Sequence, residues 1–247
     1  MRRLLILPDA AALAAAAAEE FTRAASASSG IFRVALSGGS TPKSFYALLA
    51  DEKGPYRARV PWKRLRFFWS DERCVPPGHA DSNYRMAFET LLSRVPVPAG
   101  NVHRIEGELA DAEEAARRCE NSLRSEFAGP PRFDWIFLGL GADGHTASLF
   151  PGTTAVAETH KLVASVWVEE KKAYRVTFTL PLLNAAKNIA FVAAGADKAE
   201  TARQVLEDAP SAARPASLVT PSQGDVLWLL DRAAAGRLSS GSELAPE

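Results

Sequence analysis

Acidic, basic and hydroxyl residues in this chain gather where apolar runs end. Phe133-Asp134-Trp135-Ile136-Phe137-Leu138-Gly139-Leu140-Gly141-Ala142 leads into Asp143-Gly144-His145-Thr146. An apolar run of β-formers bounded by glycine reads as a buried strand. Asp143 and His145 then stand at its C-terminal end, where open α/β sheets bind ligands. A histidine both takes and gives a proton near neutral pH, so the arrangement points to an enzyme.

Three further segments share that geometry. Val34-Ala35-Leu36 passes through Ser37-Gly38-Gly39 into Ser40-Thr41-Pro42-Lys43, a strand turning into a helix. Its glycines let the backbone approach a ligand, Ser40 or Thr41 can cap the helix, and Pro42 suits its first turn. Free N–H groups and the helix dipole favour an anion there, so the spacing predicts a phosphate site. The Gly-Lys-Ser/Thr signature of a nucleotide P-loop is missing. Phe67-Phe68-Trp69-Ser70-Asp71-Glu72-Arg73 brings charge to a second strand end, and the Arg73 fork suits an anion. Gly195-Ala196-Asp197-Lys198 repeats the pattern, with Lys198 at a helix start whose dipole it opposes unless an anion is shared. His79, in a Pro-Pro-Gly loop between two of these segments, is expected to line the site, and His103 and His160 read as surface or structural residues.

Gly139-x-Gly141-x-x-Gly144 also matches a dinucleotide fingerprint, with Glu169 and Glu170 in the place of the ribose-binding acid. That fingerprint needs a long helix after the third glycine. Here Phe150-Pro151-Gly152 stops any helix within two turns, so a nicotinamide or flavin site stays a minor alternative.

The 247 residues are 47% hydrophobic with a formal net charge of zero. That supports a sizeable core and no bulk attraction to nucleic acid or an anionic membrane. Cys74 and Cys119 are too few and too far apart for a disulfide framework or a zinc site, and no His/Cys/acid spacing suggests a metal. A reducing cytoplasm fits. Met1-Arg2-Arg3-Leu4-Leu5-Ile6-Leu7 imitates a signal peptide, but Pro8 and Asp9 interrupt it. A strand, an Asp9 cap and an alanine-rich helix account for it better. No run is apolar enough to span a bilayer, and the Gly-x-Ser-x-Gly elbow of serine hydrolases is absent.

The elements that must carry these residues alternate. Strands are expected at 31–36, 65–69, 102–105, 133–138, 162–168, 175–180, 189–194 and 226–230, and helices at 41–50, 82–93, 111–127, 198–207 and 232–237. The alternation indicates an α/β fold with a mostly parallel sheet flanked by helices. The two successive strands around 162–180 form a small antiparallel addition. Residues 1–238 read as a single catalytic domain and 239–247 as a flexible tail.

Taken together, these segments resemble the 6-phosphogluconolactonases of the glucosamine-6-phosphate isomerase/6-phosphogluconolactonase family. The resemblance rests on residues 36–42, Trp69-Ser70-Asp71-Glu72-Arg73, Asp81-Ser82-Asn83-Tyr84, the run from Gly139 to Pro151, and Arg175-Val176-Thr177-Phe178-Thr179-Leu180-Pro181. It implies one domain with a modified Rossmann-like sheet, no metal and no organic cofactor, and a substrate that is a δ-lactone carrying a phosphate at its far end. It further implies that Ser37, Gly38, Gly39, Ser40 and Thr41 hold the phosphate with Arg73 and Lys198, Lys187 being a weaker candidate. Asp71 and Asn83 join the substrate-binding residues. His145 deprotonates water for attack on C1 and returns the proton to the leaving ring oxygen, with Asp143 orienting it. A monomer or homodimer in the cytoplasm is expected.

Glucosamine-6-phosphate deaminases share the fold and the phosphate loop. After Asp-Gly-His they carry Asn-Glu-Pro, whose glutamate helps ring opening. Here the stretch is Ser148-Leu149-Phe150-Pro151, and that acid is missing, although Asp71 could serve as the second carboxylate deamination needs. The departure favours a lactonase. A sugar-phosphate sensor is the other alternative, but no basic helix-turn-helix precedes Asp9.

Overall fold

The computed structural model describes residues 1–239. Six parallel strands, β1 (Arg2–Leu7), β2 (Phe32–Leu36), β3 (Leu65–Trp69), β5 (Trp135–Leu138), β8 (Asn188–Ala193) and β9 (Asp225–Asp231), form the main sheet in the order β1-β9-β8-β5-β2-β3. Three antiparallel strands, β4 (Asp71–Arg73), β6 (Val163–Val168) and β7 (Ala173–Phe178), form a second sheet in the order β4-β7-β6. The helices are α1 (Ala10–Ala27), α2 (Ser40–Ala50), α3 (Asn83–Thr90), α4 (Ala112–Glu126), α5 (Leu180–Leu183) and α6 (Ala199–Glu207). The chain is therefore α/β with a small antiparallel addition. Among the described residues no helix is long and apolar enough to cross a membrane.

The order of strands sets the site. The chain runs outward from β2 to β3, then returns to lay β5 on the other side of β2. Such a reversal opens a crevice beyond the strands' C-terminal ends, and the segments after β2 and β5 are the two that read as phosphate loop and acid–base turn.

Local chemistry explains the elements around it. Asp9 caps α1 by accepting the Ala12 N–H at 2.8 Å. The alanine-rich helix buries Leu13, Ala17 and Phe21 against the sheet. All four residues of β5 are buried, the expected pattern for a central parallel strand. Phe45 of α2 packs on Phe137 with ring centroids 4.5 Å apart. Ser70 joins the two sheets: its N–H donates to Leu36 O, and Phe178 donates to Ser70 O. The small sheet is thus anchored at the C-terminal edge of the large one.

Some boundaries differ from expectation. Residues 102–105 make one isolated bridge, Phe67↔Val102, instead of a strand. A 3₁₀ turn at Ala99–Asn101 leads into them. His103 instead stacks on Phe68 with ring centroids 4.6 Å apart. Residues 232–237 form turns, not a helix. The Asp231 carboxylate takes the Ala234 N–H as an N-cap does and also reaches the Gly195 N–H, but only single turn bonds follow, Ala235 N–H to Asp231 O and Gly236 N–H to Ala233 O. The expected helix over 82–93 ends at Thr90 and continues as a 3₁₀ turn, Leu92–Arg94. The tail expected from 239 lies, from residue 240 on, outside the described residues.

Candidate active site

Ser37 follows β2 and is held by Tyr46, whose hydroxyl accepts the Ser37 N–H and donates to Ser37 O, each at 3.0 Å. Gly39 has φ +107°, a conformation that side chains resist. It carries the chain into α2 one residue earlier than the sequence suggests. Gly39 is therefore the N-cap, and no side chain caps the helix, Ser40 and Thr41 included. The first N–H groups of the helix lack intrahelical partners and stay available to an anion.

The turn after β5 is tied at several points. Gly141 N–H donates to His145 O at 2.9 Å, and Gly144 N–H to Gly141 O at 3.0 Å. The Thr146 hydroxyl donates to Gly139 O at 2.8 Å. From outside, the Thr201 hydroxyl donates to Ala142 O at 2.6 Å, and Ala216 N–H donates to Gly144 O at 3.0 Å. Ala147 takes φ +48°, uncommon for a residue with a side chain. It is strain of about 1–3 kcal/mol that only a well-braced site retains.

These ties present His145. Its Nδ1 lies 2.6 Å from Asp143 Oδ1, and its ring stacks on Phe150 with centroids 4.2 Å apart. Burial works against the Asp143 charge, but the backbone N–H and ring of His145 together hold its carboxyl below the usual range. Nδ1 is occupied, which leaves Nε2 for water or substrate.

Asp71, Glu72 and Arg73 diverge in role. The Glu72 carboxylate accepts from the N–H groups of Arg73, Asn83 and Tyr84 and from the Ser82 hydroxyl. Burial nevertheless raises its pKa. It clamps the start of α3 onto β4. Asn83, so fixed, packs where any Cβ on Gly38 would fall, 1.9 Å from its Oδ1. Asp71 and Arg73 both line the cleft.

The crevice is a cleft of about 430 Å³. It brings together Ser37, Gly38, Gly39, Ser40 and Thr41, Asp71, Arg73 and Asn83, and His145 and Lys198. Asp143 stands behind His145. Lys187 is not part of it. It precedes β8, at the N-terminal edge of the parallel sheet, and its Nζ lies 2.7 Å from Asp134 Oδ1. The same Asp134 accepts the Arg33 N–H, so Lys187 balances a carboxylate at the edge opposite the crevice. His79 does not line the cleft either; its Nδ1 accepts the Asp81 N–H. Burial pushes the thiols of Cys74 and Cys119 up to about 11 and about 12, which makes them poor nucleophiles. Among the described residues no group of His, Cys, Asp and Glu could hold a metal ion.

The family model for glucosamine-6-phosphate isomerases/6-phosphogluconolactonase matches residues 8–228. The chain belongs to this family. It is 42% identical over 211 residues to a 6-phosphogluconolactonase of Synechocystis, covering 83% of this chain and 84% of that one. It is 40% identical over 220 residues to 6-phosphogluconolactonase 3, chloroplastic, of Arabidopsis thaliana, covering 85% of this chain and 66% of the relative's length. The solved structure of 6-phosphogluconolactonase from Trypanosoma brucei superposes with a TM-score of 0.86 at 34% identity, over 97% of this chain and 99% of that one. A monomeric glucosamine-6-phosphate deaminase superposes with a TM-score of 0.82 at 21% identity, a likeness of fold alone.

In this member of the family the cleft holds one cation that sequence reasoning missed. Arg175 lines it and lies opposite Arg73 in the β4–β7 register. Its Nε is buried without a hydrogen-bond partner, as is that of Arg73. Burial first, and the Arg73 charge second, push the Arg175 pKa down. Both side chains line the cleft, so its small-sheet wall carries two positive charges. The signal was an arginine inside an alternating strand, but only the pairing of β7 with β4 brings it beside Arg73.

Proposed function

We propose that this chain hydrolyses 6-phospho-D-glucono-1,5-lactone to 6-phosphogluconate, the second step of the oxidative pentose phosphate pathway, with residues 1–238 acting as one catalytic domain. The observation that carries this is the His145–Asp143 contact of 2.6 Å, set across one cleft from an uncapped helix start and from Arg73 and Arg175. The phosphate binds the loop of residues 37–41 together with Arg73, Arg175 and Lys198. That anchoring places C1 beside His145. Nε2 removes a proton from water as the water oxygen bonds to C1. The tetrahedral intermediate then breaks the bond from C1 to the ring oxygen, and the imidazolium returns its proton to that oxygen. Asp143 holds the ring in the tautomer that leaves Nε2 basic and supports the charge formed on it. A lactone carbonyl is already activated, so anchoring plus one acid–base group suffices. The cytoplasm, where Cys74 and Cys119 stay reduced, is the location this reading favours.

Arg73→Ala and Arg175→Ala should each weaken binding of 6-phosphogluconate by about tenfold or more, since a charge-assisted hydrogen bond contributes about 1.5–3 kcal/mol. Calorimetry checks this, and an unchanged affinity removes that residue from the phosphate site.

Deamination is the competing reaction on this fold. It needs, besides the Asp143–His145 pair, the glutamate that deaminases carry in the segment after Asp-Gly-His, and here that segment has Leu149, which is buried, and Phe150, which stacks on the His145 ring. Glucosamine 6-phosphate should therefore release no ammonia under conditions in which the lactone is consumed rapidly. Ammonia at a comparable rate overturns the assignment.

A further inference from the structure

Asp71 and Glu72 are neighbouring buried acids with opposite hydrogen-bond states. The Glu72 carboxylate takes four donors from the protein and has no capacity to spare. The Asp71 carboxylate takes one short bond, from the Ser148 hydroxyl to Oδ2 at 2.7 Å, and one long one, from Asn83 Nδ2 to Oδ1 at 3.4 Å. A carboxylate offers about four acceptor sites, so Asp71 keeps acceptors in hand while it lines the cleft. A buried carboxylate left short of donors is costly. Asp197 also lines the cleft but is exposed and ion-paired with Lys198 at 2.9 Å, so Asp71 is the buried acid there with acceptors for a hydroxyl.

Ser148 does not line the cleft and is fully buried. Its own N–H is held by Thr177 Oγ1 at 3.1 Å, and Thr177 pairs with Asp71 in the β4–β7 ladder. It follows Ala147, whose left-handed backbone turns the chain from the His145 segment toward β4. The serine thereby ties the acid–base turn to Asp71.

We propose that Ser148 is a positioning residue for substrate selection. By donating to Oδ2 it fixes the Asp71 carboxylate so that its remaining lone pairs accept a ring hydroxyl of the bound sugar lactone. The site then prefers a fully hydroxylated phosphorylated aldonolactone over one lacking that hydroxyl. The inference rests on the lactonase reading and adds to it the element that reads the sugar's hydroxyls.

The test compares wild type, Ser148→Ala, Ser148→Cys and Asp71→Asn on freshly prepared 6-phosphogluconolactone and its 2-deoxy, 3-deoxy and 4-deoxy counterparts. Wild type should favour the parent over one deoxy lactone by about tenfold or more in kcat/KM. Ser148→Ala should lose about tenfold on the parent, through KM, yet stay within about twofold of wild type on that deoxy lactone. Asp71→Asn should show the same selective loss. Ser148→Cys, with a weaker donor of similar size, should fall between, and it carries the test if the alanine variant does not fold. Equal losses on all four lactones, or no loss on the parent, overturn the positioning role while wild-type turnover leaves the lactonase reading standing. Absence of wild-type turnover on all four overturns both.

Discussion

His145→Ala should lower kcat for the lactone about a hundredfold to ten-thousandfold, the usual contribution of a general acid–base group. Affinity for 6-phosphogluconate should change little. The two effects separate because the ring and the phosphate donors belong to different strands, His145 following β5 and residues 37–41 following β2. Removing the ring leaves the Tyr46–Ser37 clamp and the Gly39 turn intact. It also leaves Asp143 without its closest partner, so its carboxyl should titrate nearer the ordinary range. Proton-release kinetics and calorimetry on the same preparation read both quantities. Near wild-type turnover in this variant rules His145 out as the base.

Gly141→Ala should cost about a hundredfold in kcat while the protein folds normally, because it displaces the base without deleting it. A Cβ at position 141 would stand 2.0 Å from His145 Nδ1 and 2.5 Å from Asp143 Oδ1, closer than any real contact. The ring or the carboxylate must move, and either movement breaks the bond of 2.6 Å between them. Gly141 is not among the glycines with positive φ, so no left-handed backbone opposes alanine there and the clash falls on the Asp143–His145 pair. A thermal melt close to wild type with a low kcat is the expected pair of results. A normal kcat would show that the Asp143–His145 contact is dispensable.

The contrast between Lys187 and Arg175 shows where sequence reasoning stops. Strand-end logic located residues 37–41, Asp71, Arg73, His145 and Lys198 because each follows an apolar run, and a parallel sheet gathers all such ends at one edge. Lys187 precedes its strand, so the same logic, applied strictly, places it at the opposite edge. Arg175 lies within a strand, and nothing local says which neighbour it faces. Its partner is set by antiparallel register with β4, a long-range choice. Glu72 was equally opaque: three consecutive charges after β3 look alike in sequence, and only the docking of α3 divides them into a clamp and two cleft residues. The expected strand at 102–105 and helix at 232–237 failed for a related reason. His103 stacks on Phe68 instead of extending a strand, and Gly236 weakens the turns after Asp231, so local propensity does not carry such short segments.

The most direct test of the central claim is proton release at constant pH on adding the purified protein to freshly generated 6-phosphogluconolactone, corrected for spontaneous hydrolysis. The expected result is acid formation at a rate proportional to protein and saturable in lactone, with 6-phosphogluconate as the product. Acid release no faster than the spontaneous reaction, at any protein concentration, contradicts it.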